Sequence, residues 1–219
     1  MTKKQPVKPR NAASLLIFRG EGEQLEVLMG CRYSKARFKP GVYVFPGGML
    51  ERSDSSAVPA SELDPQHVNA MGVGGSLKRA QALASAAIRE TFEEVGLFVA
   101  APSQTRVSTH QHWQDFADQG IGPNLSPLRY LGRAITPAHQ PIRFDARFFC
   151  VNAAHATGDI RDNGELTDLG WIKLSQAEDF NMMKVTHLML ARLKETLRDN
   201  TAKVPFLYFI NGNKRMKWF

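Results

Sequence analysis

The chain has 219 residues, 43% of them apolar and 22% charged, with a formal net charge of +7; this is the composition of a globular domain able to bury a real core. No apolar stretch is long enough to span a bilayer, the basic N-terminus M-T-K-K-Q-P-V-K-P-R lacks the apolar run of a signal peptide, and two cysteines, Cys31 and Cys150, cannot build a disulfide framework. A cytosolic protein with two buried thiols is the expectation, and the positive charge favours an anionic partner, either nucleic acid or a small phosphorylated molecule.

In chain order, much of the positive excess comes first, in Lys3, Lys4, Lys8 and Arg10, and again last, in Lys214, Arg215 and Lys217, where solvated tails account for it. Ala12 to Arg19 and Leu25 to Cys31 predict two strands joined by the turn G-E-G-E-Q, an early hairpin. Val42 to Phe45 predicts a short strand running into Pro46-Gly47-Gly48. From Glu51 to Gly75 the residues turn polar and rich in Pro and Gly, which predicts an insertion with one short helix near Gln66 to Met71 and no chemistry of its own.

Lys78 to Val95 is the strongest helix pattern, free of Gly and Pro, rich in alanine and stopped by Gly96. A strand is expected over Leu97 to Ala100, a polar helix over His110 to Gln119, and two strands within Leu128 to Ala153 separated by Thr136 to Pro141. Trp171 to Leu174 predicts another strand and Met182 to Leu197 a closing amphipathic helix. Strands and helices alternating irregularly around one long helix predict an α+β or αβα sandwich. Its single domain spans 12–205, with a basic tail at 1–11, the insertion at about 51–76 and a C-terminal segment at 206–219.

The stretch R-E-T-F-E-E-V-G, Arg89 to Gly96, crowds three glutamates onto the long helix. Positions 90, 93 and 94 are related by i, i+3 and i+4, so their carboxylates leave one face and repel by about 0.2–0.5 kcal/mol per pair. A hard divalent cation reverses that sign, because Mg²⁺ takes carboxylate oxygens and completes its shell with water and substrate phosphate oxygens. Three glutamates alone could equally be a solvated acidic face. The context counts against it: a Gly-Gly turn after a strand upstream, an arginine directly before the first glutamate and a glycine stop after the last.

F-P-G-G, Phe45 to Gly48, followed by R-E-T-F-E-E-V-G-L, Arg89 to Leu97, resembles the Nudix box, the signature of hydrolases of nucleoside diphosphates linked to another moiety. The second half matches except for Thr91, where an apolar residue is usual. The first half is split. Counted forward from Gly48, the leading acid is Asp54, but 34 residues then precede Arg89 where the pattern has seven, an insertion of about 27. Counted backward from Arg89, the same positions fall on Gln81 and Gly75. In the family the leading acid orients the arginine and the helix, so the split implies altered geometry with the chemistry kept. R-Y-S-K-A-R-F-K-P-G-V-Y-V-F-P-G-G, Arg32 to Gly48, is also similar to the fingerprint of coenzyme A pyrophosphatases. Arg32, Arg37, Gly41 and Phe45 are in register there; Tyr33 and Gly30 depart from it. I-T-P-A-H-Q-P-I-R-F-D-A-R-F-F, from Ile135, resembles the long-insert branch that includes acyl-CoA diphosphatases.

The resemblance implies a Nudix-like αβα sandwich with a mixed β-sheet and one long catalytic helix. It implies that Glu90, Glu93 and Glu94 hold Mg²⁺ (or Mn²⁺), with the Gly48 carbonyl as a further ligand, and that Arg89 orients a carboxylate and holds the loop against the helix. Phe45 and Gly47 would belong to the substrate-binding loop. The base that takes the proton from the attacking water would be Glu165, in D-N-G-E-L-T-D-L-G-W, or Glu94. Arg32 and Arg37 offer forked donors matched to phosphate oxygens. Against each role stands a plainer one: an i,i+4 partner of Glu93 for Arg89, an exposed turn residue for Glu165, a solvated loop for Arg32 and Arg37. His110, His112 and His139 are read as polar loop or cap residues.

Three functions follow in order: a Mg²⁺-dependent diphosphatase of coenzyme A or acyl-CoA; a diphosphatase of NADH, ADP-ribose or dinucleotides; or a non-catalytic module binding nucleotide or RNA. The intact R-E-x-x-E-E counts against the last, as does the absence of interleaved basic and aromatic residues. The partner expected is a small-molecule nucleotide, with neither nucleic acid nor membrane; a homodimer is a further expectation. The insertion would cover the site, form a dimer contact or be tolerated at the surface.

Overall fold

The computed structural model describes residues 6–35, 39–199 and 201–219. Strands β1 (Arg10–Arg19), β2 (Glu26–Arg32), β3 (Tyr43–Val44) and β4 (Gly47–Met49) come first, followed by a short helix α1 (Arg52–Ser56) and the long helix α2 (Leu77–Val95). The second half adds β5 (Ala100–Pro102), α3 (Gln114–Asp118), β6 (Ile121–Pro123), β7 (Arg129–Ile135), β8 (Phe144–Asn152), β9 (Leu166–Lys173), α4 (Lys184–Arg198), β10 (Pro205–Ile210) and β11 (Asn213–Trp218). Among the described residues these strands form a nine-stranded mixed sheet in the order β11-β10-β7-β8-β1-β2-β3, with β4 also on β1 and β9 on β2; β5 and β6 pair separately.

The central strand reads as an almost continuous apolar run because both its faces are covered. Ala13, Leu15 and Ile17 of β1 face the layer that holds α2, while Leu16 and Phe18 face the layer that holds α4. The same alternation separates Phe149 and Val151 from Phe148 and Cys150 on β8. The result is the expected αβα sandwich with a mixed sheet. Parallel pairing of β1 with β8 runs from Arg10↔Phe144 to Phe18↔Asn152, whereas the expected β1–β2 hairpin is limited to Phe18↔Val27 and Arg19↔Glu26. The lower part of β1 instead receives β4, Ala13 opposite Gly48 and Ser14 opposite Gly47. That pairing brings the Gly-Gly turn to the sheet's centre.

Helix α2 begins at Ser76, whose hydroxyl accepts from the Arg79 N–H, and ends at Gly96 in a left-handed conformation (φ 80°) with the Asp159 carbonyl packed against it. Its alanines are buried on nearly every side, because the insertion covers what the sheet does not. Small side chains let three layers close on one helix.

Several sequence expectations are corrected. The strand expected at Leu97 to Ala100 lies at 100–102, and the helix expected over His110 to Gln119 is a 3₁₀ turn (Gln111–Trp113) followed by α3. The strand at Trp171 starts five residues earlier, at Leu166, and the short helix in the insertion is a 3₁₀ segment (Pro65–Met71). Residues 206–219, read as a terminal segment, contribute a hairpin to the sheet edge, and Arg10 of the supposed tail already lies in β1; Lys3 and Lys4 lie outside the described residues.

The insertion is not a passenger on the surface. Leu63, Val68, Ala70, Met71 and Val73 are all buried in the α2-side core. Arg147 of β8, 2% exposed, donates to the Met71 carbonyl (2.9 Å) and to Asn11 Oδ1 (2.7 Å), with the Asp145 carboxylate 3.3 Å from its other end. Truncating Met71 therefore opens a core cavity: Met71→Ala is expected to lower stability by about 2–5 kcal/mol, seen as a lower urea midpoint at an unchanged m-value. A surface insertion would show almost no change.

Candidate active site

Four segments meet at the C-terminal half of α2. The first is the Gly-Gly turn. The Gly47 N–H donates to Glu94 Oε2 at 2.7 Å, and a Cβ on Gly48 would fall 2.4–2.5 Å from the Glu90 carboxylate atoms. Only a glycine lets backbone and carboxylate lie this close.

The second is α1, where Asp54 is 1% exposed. Arg89, equally buried, reaches it through a two-point contact: Nε to Oδ1 at 2.7 Å and Nη2 to Oδ2 at 3.0 Å. Its Nη1 meets Glu93 Oε2 at 2.7 Å and Glu90 Oε1 at 3.0 Å, and Nη2 also donates to the Met49 carbonyl at 3.1 Å. The Glu51 N–H completes the Asp54 carboxylate at 2.8 Å. The forward count across the insertion is thus the correct one, and Gln81 is not the arginine's partner. The box expected to have altered geometry is closed in space: the insertion leaves after α1 and returns at α2 without separating the acid from its arginine. Thr91, the departure at an apolar position, is fully buried and returns its hydroxyl to the Ala87 carbonyl at 2.8 Å.

The third segment is the loop 159–165. The Arg161 N–H donates to the Val95 carbonyl (3.0 Å), its guanidinium lies over the Phe92 ring (5.4 Å), and the Asn163 side-chain amide donates to the Glu93 carbonyl. This pins the loop to the end of α2 and brings exposed Glu165 close enough for its charge to act on Glu94. Arg32, at the end of β2, acts on the same carboxylate with the opposite sign. The fourth segment carries His112, described below.

No family model matches the chain. It is 29% identical over 215 aligned residues to the acyl-coenzyme A diphosphatase NUDT19 of Xenopus laevis, an alignment covering 73% of this chain and 56% of that protein. The chain thus spans about half the length of this curated relative. A Nudix hydrolase from Alicyclobacillus acidocaldarius superposes with a TM-score of 0.64 at 27% identity, covering 84% of this chain and 90% of that one. In sequence and in fold the chain is similar to Nudix hydrolases. The Nudix domain of Shewanella oneidensis NrtR, solved with ADP ribose, shares the fold at a TM-score of 0.50 and 12% identity, over 87% of this chain and 90% of that one.

The electrostatics of this Nudix box are those of crowded, poorly solvated acids. Burial pushes the Glu94 carboxyl up to about 8, with Glu90 and Glu165 adding to the effect and the Gly47 N–H and Arg32 opposing it. Burial likewise pushes Glu90 up to about 7 against the pull of Arg89, and raises Glu93 against Arg89 and His112. Burial alone would lower the Arg89 pKa, but Asp54, Glu90 and Glu93 hold it well above the ordinary arginine value.

Among the described residues no three His, Cys, Asp or Glu side chains already converge as metal ligands; Glu90 and Glu93 are turned to Arg89, and Glu94 to Gly47. The donor set nevertheless fits a hard divalent cation. It is a face of crowded carboxylate oxygens in which burial raises all three acids, and a cation relieves both the crowding and the desolvation.

Of the other residues expected here, Phe45 is 4% exposed and packs in the α4-side core, so it supports the turn from below and offers almost no ring to a substrate. Arg37 lies outside the described residues. Sequence reading missed two members. Glu51 was assigned to the insertion, and His112 was read as a loop or cap residue; its Nδ1 lies 3.4 Å from Glu51 Oε2 and 3.8 Å from Glu93 Oε1. His110 does cap the 3₁₀ turn, and His139 is exposed beside Gln140. No sequence spacing links residue 112 to 51 and 93, so only the folded chain reveals the group.

Two predictions follow. Asp54→Asn leaves Arg89 buried without its forked partner and is expected to lower stability by about 3–5 kcal/mol, measured by urea unfolding. In chelator, Glu90 and Glu94 of the folded chain hold their protons up to about pH 7 and about pH 8, so their stabilising contribution is complete below pH 4.5 and is lost as pH rises through those values. Unfolding free energy should therefore decline between pH 5 and 9, and Glu94→Gln should flatten the upper part of the decline.

Proposed function

We propose that the chain is a divalent-metal-dependent diphosphatase acting on coenzyme A or an acyl-CoA, releasing 3′,5′-ADP and the corresponding phosphopantetheine. The observation that carries this reading is the face of Glu90, Glu93 and Glu94, closed on one side by the Gly47-Gly48 turn and braced on the other by the Arg89–Asp54 fork. A solvated acidic face would not bury Glu94 or press Glu90 against the Gly48 backbone, and a pure binding module has no use for carboxylates held above their usual range.

In this reading Glu90, Glu93 and Glu94, with the Gly48 carbonyl, hold Mg²⁺ or Mn²⁺. Such a cation, when bound, neutralises the diphosphate and orients the attacking water. Arg89 has no free donor for substrate; its work is to keep loop and helix in register. Glu165, exposed and near Glu94, is the base that takes the water's proton, with Glu94 as the other candidate. Arg32 and Arg37 grip phosphate, the 3′-phosphate of coenzyme A being one that needs such a fork.

The substrate class rests on the Arg32 to Gly48 fingerprint and on similarity to an acyl-coenzyme A diphosphatase. Among the described residues no helix is long and apolar enough to cross a membrane, and both cysteines are free; a cytosolic chain with a small-molecule nucleotide substrate is the reading they support.

Incubation with coenzyme A and Mg²⁺, beside NADH and ADP-ribose, with products identified by mass spectrometry, is the test. Release of 3′,5′-ADP that falls by about 100-fold or more in Glu94→Gln is expected. Turnover of only the other substrates would retain the acidic face and reject the fingerprint. No metal-dependent product from any of them would overturn the reading in favour of a binding module.

A further inference from the structure

The insertion means that the loop bearing Gly48 and Glu51 is joined to the helix bearing Glu93 only through a long detour of chain. Their relative position depends on non-covalent ties, and two of these run through Arg89, to Asp54 and to the Met49 carbonyl. A third candidate stands on the opposite side of Glu93. Its Oε2 is taken by Arg89, while Oε1 faces His112.

The His112 Nδ1 is shut off from solvent and, among the described residues, makes no hydrogen bond, although two carboxylates lie close by, Glu51 at 3.4 Å but without hydrogen-bond alignment and Glu93 at 3.8 Å. The turn that carries the ring is firmly seated. Trp113 beside it is fully buried, its ring 5.1 Å from Phe116, which packs edge-on against Phe92 and Phe98; Phe92 belongs to α2 itself. His110 stands edge-on to the His112 ring at 4.8 Å, and its own Nδ1 accepts the His112 backbone N–H. An imidazole held this rigidly between two acids from different halves of a split motif has a position that packing alone does not require.

We propose that His112 is a positioning residue of the cation site: its Nδ1–H bridges Glu51 and Glu93, ties the loop to the helix and fixes the direction in which Glu93 presents its oxygen. A neutral imidazole with its proton on Nδ1 is sufficient, so the role does not depend on the ring being charged. His112 touches neither substrate nor reacting atoms. The inference rests on the acidic face being a cation site, as set out above, and gives that site a second brace opposite Arg89.

The test is Mn²⁺ binding to the full chain, followed by electron paramagnetic resonance of the free ion, in the parent protein, His112→Phe and His112→Asn. Phe keeps the bulk of the ring and its packing; Asn places an N–H near the position of Nδ1. The expected result is an affinity about 10-fold weaker in His112→Phe, largely restored in His112→Asn, with thermal midpoints close to the parent. The cation concentration giving half-maximal turnover should rise in parallel while KM for coenzyme A holds. Equal Mn²⁺ affinity in the parent and His112→Phe would overturn the inference, and so would equal losses in both variants with lowered thermal midpoints, which mark the ring as packing. Absence of Mn²⁺ binding by the parent would remove the cation site itself, a failure distinct from the other two.

Discussion

A buried guanidinium surrounded by carboxylates is the constraint on which the functional end of this molecule depends. Arg89 and Asp54 are each about as dry as a core leucine, and an ion pair removed from water is tolerable only when both partners are fully engaged. Here they are: Asp54 accepts from Nε and Nη2 along one edge of the guanidinium and from the Glu51 amide, and the remaining guanidinium contacts go to Glu90, Glu93 and the Met49 carbonyl. Removing either partner strands the other, so the pair acts as a lock more than as a source of net stability.

The lock explains how a motif can be divided by a long insertion and still close. The chain leaves the sheet after α1, contributes buried apolar side chains to the α2-side core, is held by Arg147 at the Met71 carbonyl, and re-enters at Ser76, the cap of α2. The insertion is thus part of the wall against which α2 packs, and the alanine-rich face of that helix is the space it requires. Tolerating the extra segment meant giving it a share of the core.

The carboxylates follow from the same packing. Glu94 lies beneath the Gly-Gly turn because β4 pairs with β1, and Glu90 lies against Gly48 because no side chain intervenes. Desolvation raises both, and the basic groups nearby, Arg89 for Glu90 and Arg32 for Glu94, only partly offset it. Such a face is uncomfortable by itself, and the discomfort is what a hard cation relieves.

What the sequence by itself determined is everything carried by local spacing. The helical offsets of Glu90, Glu93 and Glu94 put them on one face, the Gly96 stop ended the helix, and apolar runs marked strands. The forward count from Gly48 to Asp54 was also legible, although residue counting alone could not choose it over Gln81. Only the tertiary structure decided the rest, because it depends on contacts between distant segments. It chose Asp54 by bringing it to Arg89, turned Phe45 into the core, paired β1 mainly with β8 instead of β2, and made strands of the C-terminal residues by giving them a sheet edge. It brought His112 near Glu51 and Glu93 through an aromatic cluster that anchors its turn to α2. Periodicity reports which face of an element is buried; it carries no information about which other element does the burying.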